Sequence, residues 1–423
     1  MREIILRQKQ EKEQVLKTAF VDREVSKKIE KYLQSDIIKV VSGIRRCGKS
    51  VLCFMALRNK GFAYVNFDEK ELTEAKNYDE ILKYIKEFYG DVKYLLLDEI
   101  QNLPQWELWA NSLKRRGYNL LMTGSNAKLL STELATHLTG RHVSVEMFPF
   151  SFKEFLQASG FEFKKEYTQE EMGEILNRLK KYLETGGFPE VVVKGYDYSY
   201  LQSLFDSIIF KDIVKRYRIK YSDALYNLAK YLLSGFAQEA SFTYLKNVLH
   251  FRSVHTVQNY VRYLEETYLI FSIGRFSFKQ HERITSQKKI YAIDTGMIYA
   301  LAFQSSGNYG RLMENVVAIE LLRRRSNEGA KTGIDYYKDY FGKEVDFVIT
   351  EGMTVRQLIQ VCYDVENADT KEREIRSLLK ASDDLRCKNL LIITWDSEGK
   401  ESARGKKIIY MPLWKWLLTE GGE

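Results

Sequence analysis

A glycine-bounded octet and a pair of adjacent carboxylates are the residues of this sequence best equipped for chemistry. The octet, Gly43-Ile44-Arg45-Arg46-Cys47-Gly48-Lys49-Ser50, fits the pattern G-x-x-x-x-G-K-[ST]. Gly43 and Gly48 let the backbone wrap a phosphate chain with its N–H groups turned inward. Lys49 offers an ammonium to β- and γ-phosphate oxygens, and the Ser50 hydroxyl is suited to ligate Mg²⁺. Arg45, Arg46, Cys47 and Val51 complete the stretch expected to line a nucleotide. The carboxylates are Asp98 and Glu99, at the end of the apolar run Tyr94-Leu95-Leu96-Leu97. Asp98 is expected to hold Mg²⁺ through water, and Glu99 to polarise an attacking water, which argues for hydrolysis over nucleotide storage. A third apolar run leads into Thr123-Gly124-Ser125-Asn126, where Ser125 and Asn126 can hydrogen-bond a γ-phosphate or the water.

These groups can converge only if strands and a helix bring them to one edge. Residues 37–43, a β-branched run closed by glycine, predict a buried strand, and Val51-Leu52-Cys53-Phe54-Met55-Ala56-Leu57 predicts the first turns of a helix whose positive N-terminal end faces the phosphates. Residues 62–67, 94–99, 118–126 and 142–147 predict four further strands. A buried parallel strand delivers its last residues to the carboxyl edge of the sheet, where ligands bind in open α/β folds.

The five-strand order, the octet, the acidic strand end followed by Ile100-Gln101, Thr123-Gly124-Ser125-Asn126, Thr139-Gly140-Arg141 and Phe148-Pro149-Phe150-Ser151-Phe152-Lys153-Glu154-Phe155 together resemble prokaryotic AAA-superfamily ATPases. More narrowly, they resemble the AAA_14/DUF4143 group, in which such an ATPase carries a long C-terminal extension. The resemblance covers nearly the whole chain. It implies an α/β fold: a P-loop NTPase (AAA/ASCE-type) parallel sheet, a helical lid, a winged helix and an α/β restriction-endonuclease-like C-terminal domain. The corresponding expected segments are 1–155, 156–220, 221–300 and 301–423. Asn126, with Ser125, is implied as the fourth-strand sensor, and Arg141 as an arginine finger or γ-phosphate sensor. An Arg141 acting in trans implies an oligomer. ATP is implied over GTP, there being no Asn-Lys-x-Asp guanine-reading motif.

Beyond the first segment, residues 167–183 predict a charged amphipathic helix that stops at Thr185-Gly186-Gly187-Phe188-Pro189-Glu190, a step the group carries where its lid ends. Residues 204–217 predict another helix. Three helical patterns and two β-like stretches in 222–293 spell a winged helix. Its second motif helix would present His255, Thr256, Gln258, Asn259 and Arg262 to a groove, and Lys279, Arg283, Lys288 and Lys289 would decorate the hairpin, where phosphates could be met. DNA is therefore an expected partner, a protein the alternative.

From residue 311 on, a helix bearing Glu314 and Glu320, three strands, a charged helix and a last core strand resemble the PD-(D/E)xK nuclease fold of the DUF4143 extension. That chemistry needs an acid on one strand and acid-x-Lys on the next, converging with Mg²⁺ on one phosphate. Asp346 matches the first position and Glu314 the helix acid, but the second reads Gln360-Val361-Cys362. Lys338 or Lys343 would have to migrate into the missing role. The expected function is an Mg²⁺-dependent ATPase coupling nucleotide state to a DNA- or protein-binding C-terminal region. The alternatives are a low-turnover ATP-dependent switch and an ATP-dependent nuclease.

Composition bounds these readings. The chain has 423 residues and a net charge of +8, a mild excess that permits a nucleic-acid partner. Its 45% hydrophobic and 13% aromatic residues can build cores, which excludes disorder as the main state. No apolar run approaches the roughly 18–20 residues of a bilayer span, and Met1-Arg2-Glu3 opens no signal peptide. Cys47, Cys53, Cys362 and Cys387 form no CxxC pair, so a disulfide framework or zinc knuckle is not expected, and the cytoplasm is the expected compartment.

Overall fold

The computed structural model describes residues 1–126, 142–301, 308–328 and 332–419. The chain divides into two compact units, Met1–Pro149 with Glu266–Tyr268, and Phe150–Glu265 with Leu269–Glu423.

The first unit is built on five parallel strands: β1 Ile38–Gly43, β2 Phe62–Asn66, β3 Tyr94–Asp98, β4 Asn119–Gly124 and β5 His142–Met147. Their order is β2-β3-β4-β1-β5. β1 lies between β4 and β5, buried along its whole length, which is why its sequence runs almost without polar alternation. One charged residue interrupts it. Lys39, at the amino end, donates to Ser35 O at 2.6 Å and Asn119 Oδ1 at 2.5 Å, and burial pushes its pKa down to about 8. Helices Arg2–Val15, Asp79–Tyr89 and Trp106–Arg115 pack apolar faces on the sheet; Asp79–Tyr89, for instance, buries Ile81, Leu82 and Ile85 against Val65, Leu95 and Leu97. Because β4 separates β3 from β1, the acidic end of β3 and the loop after β1 face each other over the tip of β4.

The second unit holds a nine-stranded mixed sheet. Its strands are β6 Gln238–Ala240, β7 Ile270–Arg275, β8 Lys288–Ala292, β9 Thr332–Lys338, β10 Glu344–Glu351, β11 Thr354–Cys362, β12 Leu390–Thr394, β13 Gly399–Ala403 and β14 Lys406–Pro412. The spatial order is β13-β14-β12-β11-β10-β9-β7-β8-β6. Helices Ser222–Ser234, Phe242–Val248 and Val254–Glu266 precede β7, and β6 between the first two pairs with β8. The two β-like stretches expected near 269–278 and 289–294 are β7 and β8, paired antiparallel but separated by a short helix, Gln280–Thr285. The expected C-terminal order is present as helix Tyr309–Glu328, β9, β10, β11, helix Ala368–Leu385 and β12. Sequence did not foresee that β7 pairs in parallel with β9, Gly274 opposite Asp335, so that residues 221–300 and 301–423 share one sheet.

The segment ahead of this sheet is helical. Gln169–Thr185 begins in a capping box on Thr168 and Glu171, and ends at Gly186 with φ 72°. The Gly-Gly-Phe-Pro turn is held by a buried carboxylate: Asp294 accepts from Gly187 N at 2.7 Å, Gly296 N at 2.9 Å and Met297 N at 3.3 Å. A Cβ on Gly186 would lie 2.0 Å from Asp294 Oδ1, so only glycine fits. The helix expected over 204–217 is continuous from Tyr198 to Tyr217, but winds as a π-helix through Ile208–Val214. Phe150 joins this unit, ahead of the boundary expected at 155. Its N–H donates to Gly187 O at 2.6 Å and its carbonyl accepts from the Tyr182 hydroxyl at 2.8 Å.

Candidate functional site

In the first unit the chain leaves β1 into the loop at Gly43 (φ 151°), turns through Arg46 (φ 67°), and enters helix Lys49–Leu57 from Gly48 (φ 98°). The first glycine is dictated by space as well: a Cβ there would sit 2.0 Å from Met147 O on β5. Arg46 is exposed, Arg45 half-buried, and Cys47 buried with its thiol donating to Met147 O at 3.5 Å. Val51 lies in the first turn of the helix. A residue that sequence reading missed holds the loop from outside: the buried Arg23 guanidinium donates to Cys47 O at 2.9 Å and to Phe148 O at 2.7 Å. No motif marks it, since its partners are backbone carbonyls far along the chain.

Lys49 is almost fully buried. Its ammonium donates to Gly43 O and Ile44 O, both at 3.1 Å, and lies 3.8 Å from Glu99 Oε1. The Ser50 hydroxyl donates to Asp98, 2.9 Å from Oδ1 and 2.8 Å from Oδ2. The predicted pair is thus together, a serine oxygen and a carboxylate at the helix N-terminus. Asp98 also accepts from the Thr123 hydroxyl on β4 and from Tyr64 on β2 at 3.2 Å. Thr123 Oγ1 in turn accepts from Glu99 N at 3.0 Å. The sequence marks Thr123 only as a strand exit and Tyr64 only as a strand residue. Their roles follow from the sheet order, which puts β4 beside β3 and β2 on its other flank.

The two neighbouring acids carry opposite electrostatics. Burial and then the charge of Glu99 push Asp98 up to about 6. Glu99 is partly buried, which works against its charge, but the ammonium of Lys49 and the hydrogen bond from Gln101 hold it below the usual glutamate range. Glu99 therefore stays a carboxylate at neutral pH, in a left-handed turn (φ 50°) just past β3. The Gln101 amide that donates to it also reaches Ser125 Oγ at 3.3 Å. Ser125 and Asn126 are buried at the end of β4, as expected for groups beside the acids. Thr139, Gly140 and Arg141 lie outside the described residues.

The set fits Mg²⁺ and a triphosphate: glycine-enforced N–H cradle, helix N-terminus, buried ammonium, and a serine–aspartate pair already sharing a hydrogen bond.

The second unit brings Asp346, Glu314 and Gln360 together, and leaves Cys362 out. Asp346 Oδ2 accepts from Val361 N at 2.9 Å, and Asp346 N donates to Gln360 Oε1 at 3.4 Å. The Cys362 thiol points to Asp364 O at 3.4 Å, within the apolar core. Glu320 pairs instead with Arg323 and Arg324. The lysine buried among these acids is neither of those expected to approach them: Lys338 binds Glu239 at 2.6 Å, and Lys343 is exposed. It is Lys289, expected on the hairpin surface but 3% exposed, with its ammonium 2.8 Å from Glu314, 2.6 Å from Glu344 and 3.4 Å from Asp346. Two of its supposed companions are also neutralised, Arg283 by Asp335 at 2.8 Å and Lys279 by Glu282 at 2.9 Å, while Lys288 is exposed. On helix Val254–Glu266, His255, Gln258 and Arg262 are exposed as expected; Thr256 is engaged with Ser253.

The family model described as an AAA domain, AAA_14, matches residues 35–156; DUF8612 matches 176–307 and DUF4143 matches 309–416, both domains of unknown function. An uncharacterized protein of Methanocaldococcus jannaschii is 36% identical over 413 residues, covering 93% of this chain and 91% of that protein. An uncharacterized protein of Haemophilus influenzae is 30% identical, covering 91% and 97%. Among solved structures, the Walker-type ATPase PABY2304 of Pyrococcus abyssi aligns at 14% identity and a TM-score of 0.44, over 67% of this chain and 96% of that one. Cdc6p from Pyrobaculum aerophilum aligns at 12% identity and 0.29, over 72% and 98%. Among the described residues no helix is long and apolar enough to cross a membrane.

Proposed function

This chain belongs to the family in which an AAA domain, AAA_14, is followed by a C-terminal DUF4143 domain, and from that premise we propose that it binds and hydrolyses ATP with Mg²⁺. The observation that carries the reading is the Ser50–Asp98 hydrogen bond, set between the glycine loop and a carboxylate, Glu99, that is kept ionised. Mg²⁺, held by Ser50 and Asp98, would neutralise charge developing between the β- and γ-phosphates. The chain's own groups do the rest. Backbone N–H groups from Gly43 to Val51 and the Lys49 ammonium bind and orient the triphosphate, which requires Lys49 to release two weak carbonyl contacts. Glu99 orients a water in line with the γ-phosphorus and receives its proton at a carboxylate oxygen. Gln101, already bonded to Glu99 and Ser125, fixes that carboxylate's direction. Asn126 and Arg141 are proposed to sense the γ-phosphate, Arg141 in cis or from a neighbouring copy.

The nucleotide state is proposed to act on a partner met by the second unit. Three helices with strands β6, β7 and β8 have the order of a winged helix, and the exposed His255, Gln258 and Arg262 support a DNA-facing helix. A protein partner is the competing reading, because three of the four hairpin cations are paired with acids. The deciding measurement is phosphate release from ATP with and without duplex DNA at two salt concentrations. Turnover abolished by Lys49→Ala supports hydrolysis at this site, and stimulation by DNA that fades with salt supports backbone contact. Turnover indifferent to Lys49→Ala overturns the site assignment.

A further inference from the structure

The C-terminal element order implies a divalent cation among the acids of helix Tyr309–Glu328 and strand β10. The residues present do not fit one. Lys289 reaches them from β8, a strand that does not pair with β10, and its ammonium stands within 2.6–3.4 Å of Glu344, Glu314 and Asp346 at once. A divalent ion binds carboxylate oxygens at about 2.0–2.6 Å, so one sharing these oxygens would sit beside the buried ammonium at a cost no solvent could screen. Other donors already engage this group of residues. Tyr291 OH donates to Glu314 Oε1 at 2.8 Å, Val361 N to Asp346 Oδ2 at 2.9 Å, and the uncharged Gln360 is tied through its amide nitrogen to Glu374 at 2.8 Å. Among the described residues no three His, Cys, Asp or Glu side chains are arranged to hold a metal ion.

We propose that Lys289 is the resident cation of this acid cluster, standing where a divalent ion would bridge the carboxylates, so that the nuclease-like fold is closed to metal-dependent cleavage and contains a latent cation site that opens when the lysine is removed. The lysine also ties β8, the last strand of the three-helix segment, to β10 and helix Tyr309–Glu328, converting a reactive arrangement into a cross-link within the unit.

The test titrates Mn²⁺ into full-length, nucleotide-free protein, read by the loss of the free-ion electron spin resonance signal. The wild type and Asp346→Asn are expected to give superimposable titrations. Lys289→Ala is expected to gain one site, at least tenfold tighter than any in the wild type, that disappears in Lys289→Ala/Asp346→Asn; added Mn²⁺ should raise the melting temperature of the single variant alone. Binding by the wild type that is lost in Asp346→Asn overturns the proposal, as does a folded Lys289→Ala that takes up no more Mn²⁺ than the wild type. If Lys289→Ala does not fold, Lys289→Met replaces it, and the wild-type and Asp346→Asn pair decides independently.

Discussion

Each unit of this protein buries one lysine among carboxylates, and the two clusters end in opposite states. In the first, Lys49 rests on two backbone carbonyls at 3.1 Å and keeps 3.8 Å from its acid. Ser50 and Asp98 are left in contact with each other, a neutral hydroxyl on a carboxylate at 2.8–2.9 Å, with no ammonium among the described residues bonded to either. In the second, Lys289 is in direct contact with three acids. The residue types are nearly the same; the difference is what holds the lysine. A helix N-terminus beside a glycine loop presents weak neutral acceptors that a triphosphate can displace, whereas carboxylates in a buried site form a pairing that is costly to undo. On the proposed function, the lysine that serves a ligand is the one whose partners are softer than the acids.

Substitutions that change what each lysine touches will break or sharpen this contrast. The largest effect belongs to the nucleotide site. Lys49→Ala should lower ATP turnover by roughly 10²- to 10³-fold or more, since it removes the ammonium proposed to hold the transferred phosphoryl. Glu99→Gln should lower turnover by roughly 10²- to 10⁴-fold while nucleotide affinity stays close to the wild type, because it removes the carboxylate proposed to orient the water and leaves the cradle. Phosphate release and equilibrium binding of a fluorescent ATP analogue separate the two. A Glu99→Gln protein that still turns over would mean that the first cluster, like the second, serves structure.

Lys289→Met comes next, and its readout is stability. Buried Asp346 and the partly buried Glu314 and Glu344 lose their nearest counter-ion, which at pH 7 should cost about 3–5 kcal/mol. The pH dependence has a definite sign. Burial and the charge of Glu314 already raise Asp346 well above the usual aspartate range, and loss of the ammonium raises it further. A carboxyl whose folded pKa is raised favours folding below its unfolded pKa, and that contribution is lost as pH rises through the folded value. The deficit of Lys289→Met against the wild type should therefore be largest near pH 7 and shrink toward pH 5, measured by denaturant unfolding followed in the second unit. A deficit independent of pH would mean that packing, not charge, is what the lysine supplies.

How far such sites could be read from sequence depends on how local their causes are. The glycine loop, Ser50, Asp98 and Glu99 were legible because contiguous residues create them: strand, loop and helix follow within twenty positions, and the acids end a single apolar run. Thr123 and Tyr64 were not, because their role needs β4 and β2 to flank β3, and strand order is a long-range property. Arg23 was hidden for the same reason, acting on carbonyls of residues 47 and 148. Lys289 was misassigned because a basic pair at a hairpin, Lys288-Lys289, reads as surface. A strand must nonetheless send neighbouring residues to opposite faces. That alternation, with Tyr291 on the same face as Lys289, was the available signal that one of the two lysines points inward.

A smaller effect is expected where sequence pointed to repair. Gln360→Glu restores the acid of the nuclease pattern, but it replaces an amide that donates to Glu374 with a second carboxylate facing it. A cost of about 1–3 kcal/mol follows, with no gain in Mn²⁺ binding while Lys289 remains. Mn²⁺ uptake by this variant would show that the missing charge at position 360, not Lys289, keeps the cluster closed.

The smallest effect should come from Lys338, one of the two lysines that sequence put forward for the missing catalytic role. Its ammonium lies 2.6 Å from Glu239 and 3.6 Å from Glu344, so it touches the same Glu344 that Lys289 holds. Its side chain is nearly a third exposed, however, and water and salt can take over most of what it gives the two glutamates. Lys338→Met should accordingly cost only about 0.2–1 kcal/mol in the unfolding of the second unit, and less still in 1 M salt. Because it stands at the rim of the same cluster, it is the proper control for Lys289→Met: same carboxylate, same residue type, different burial. If the two variants cost the same, depth is irrelevant and the cluster is an ordinary network of surface ions. A several-fold larger loss at Lys289, surviving high salt, locates the internal cation at that one position.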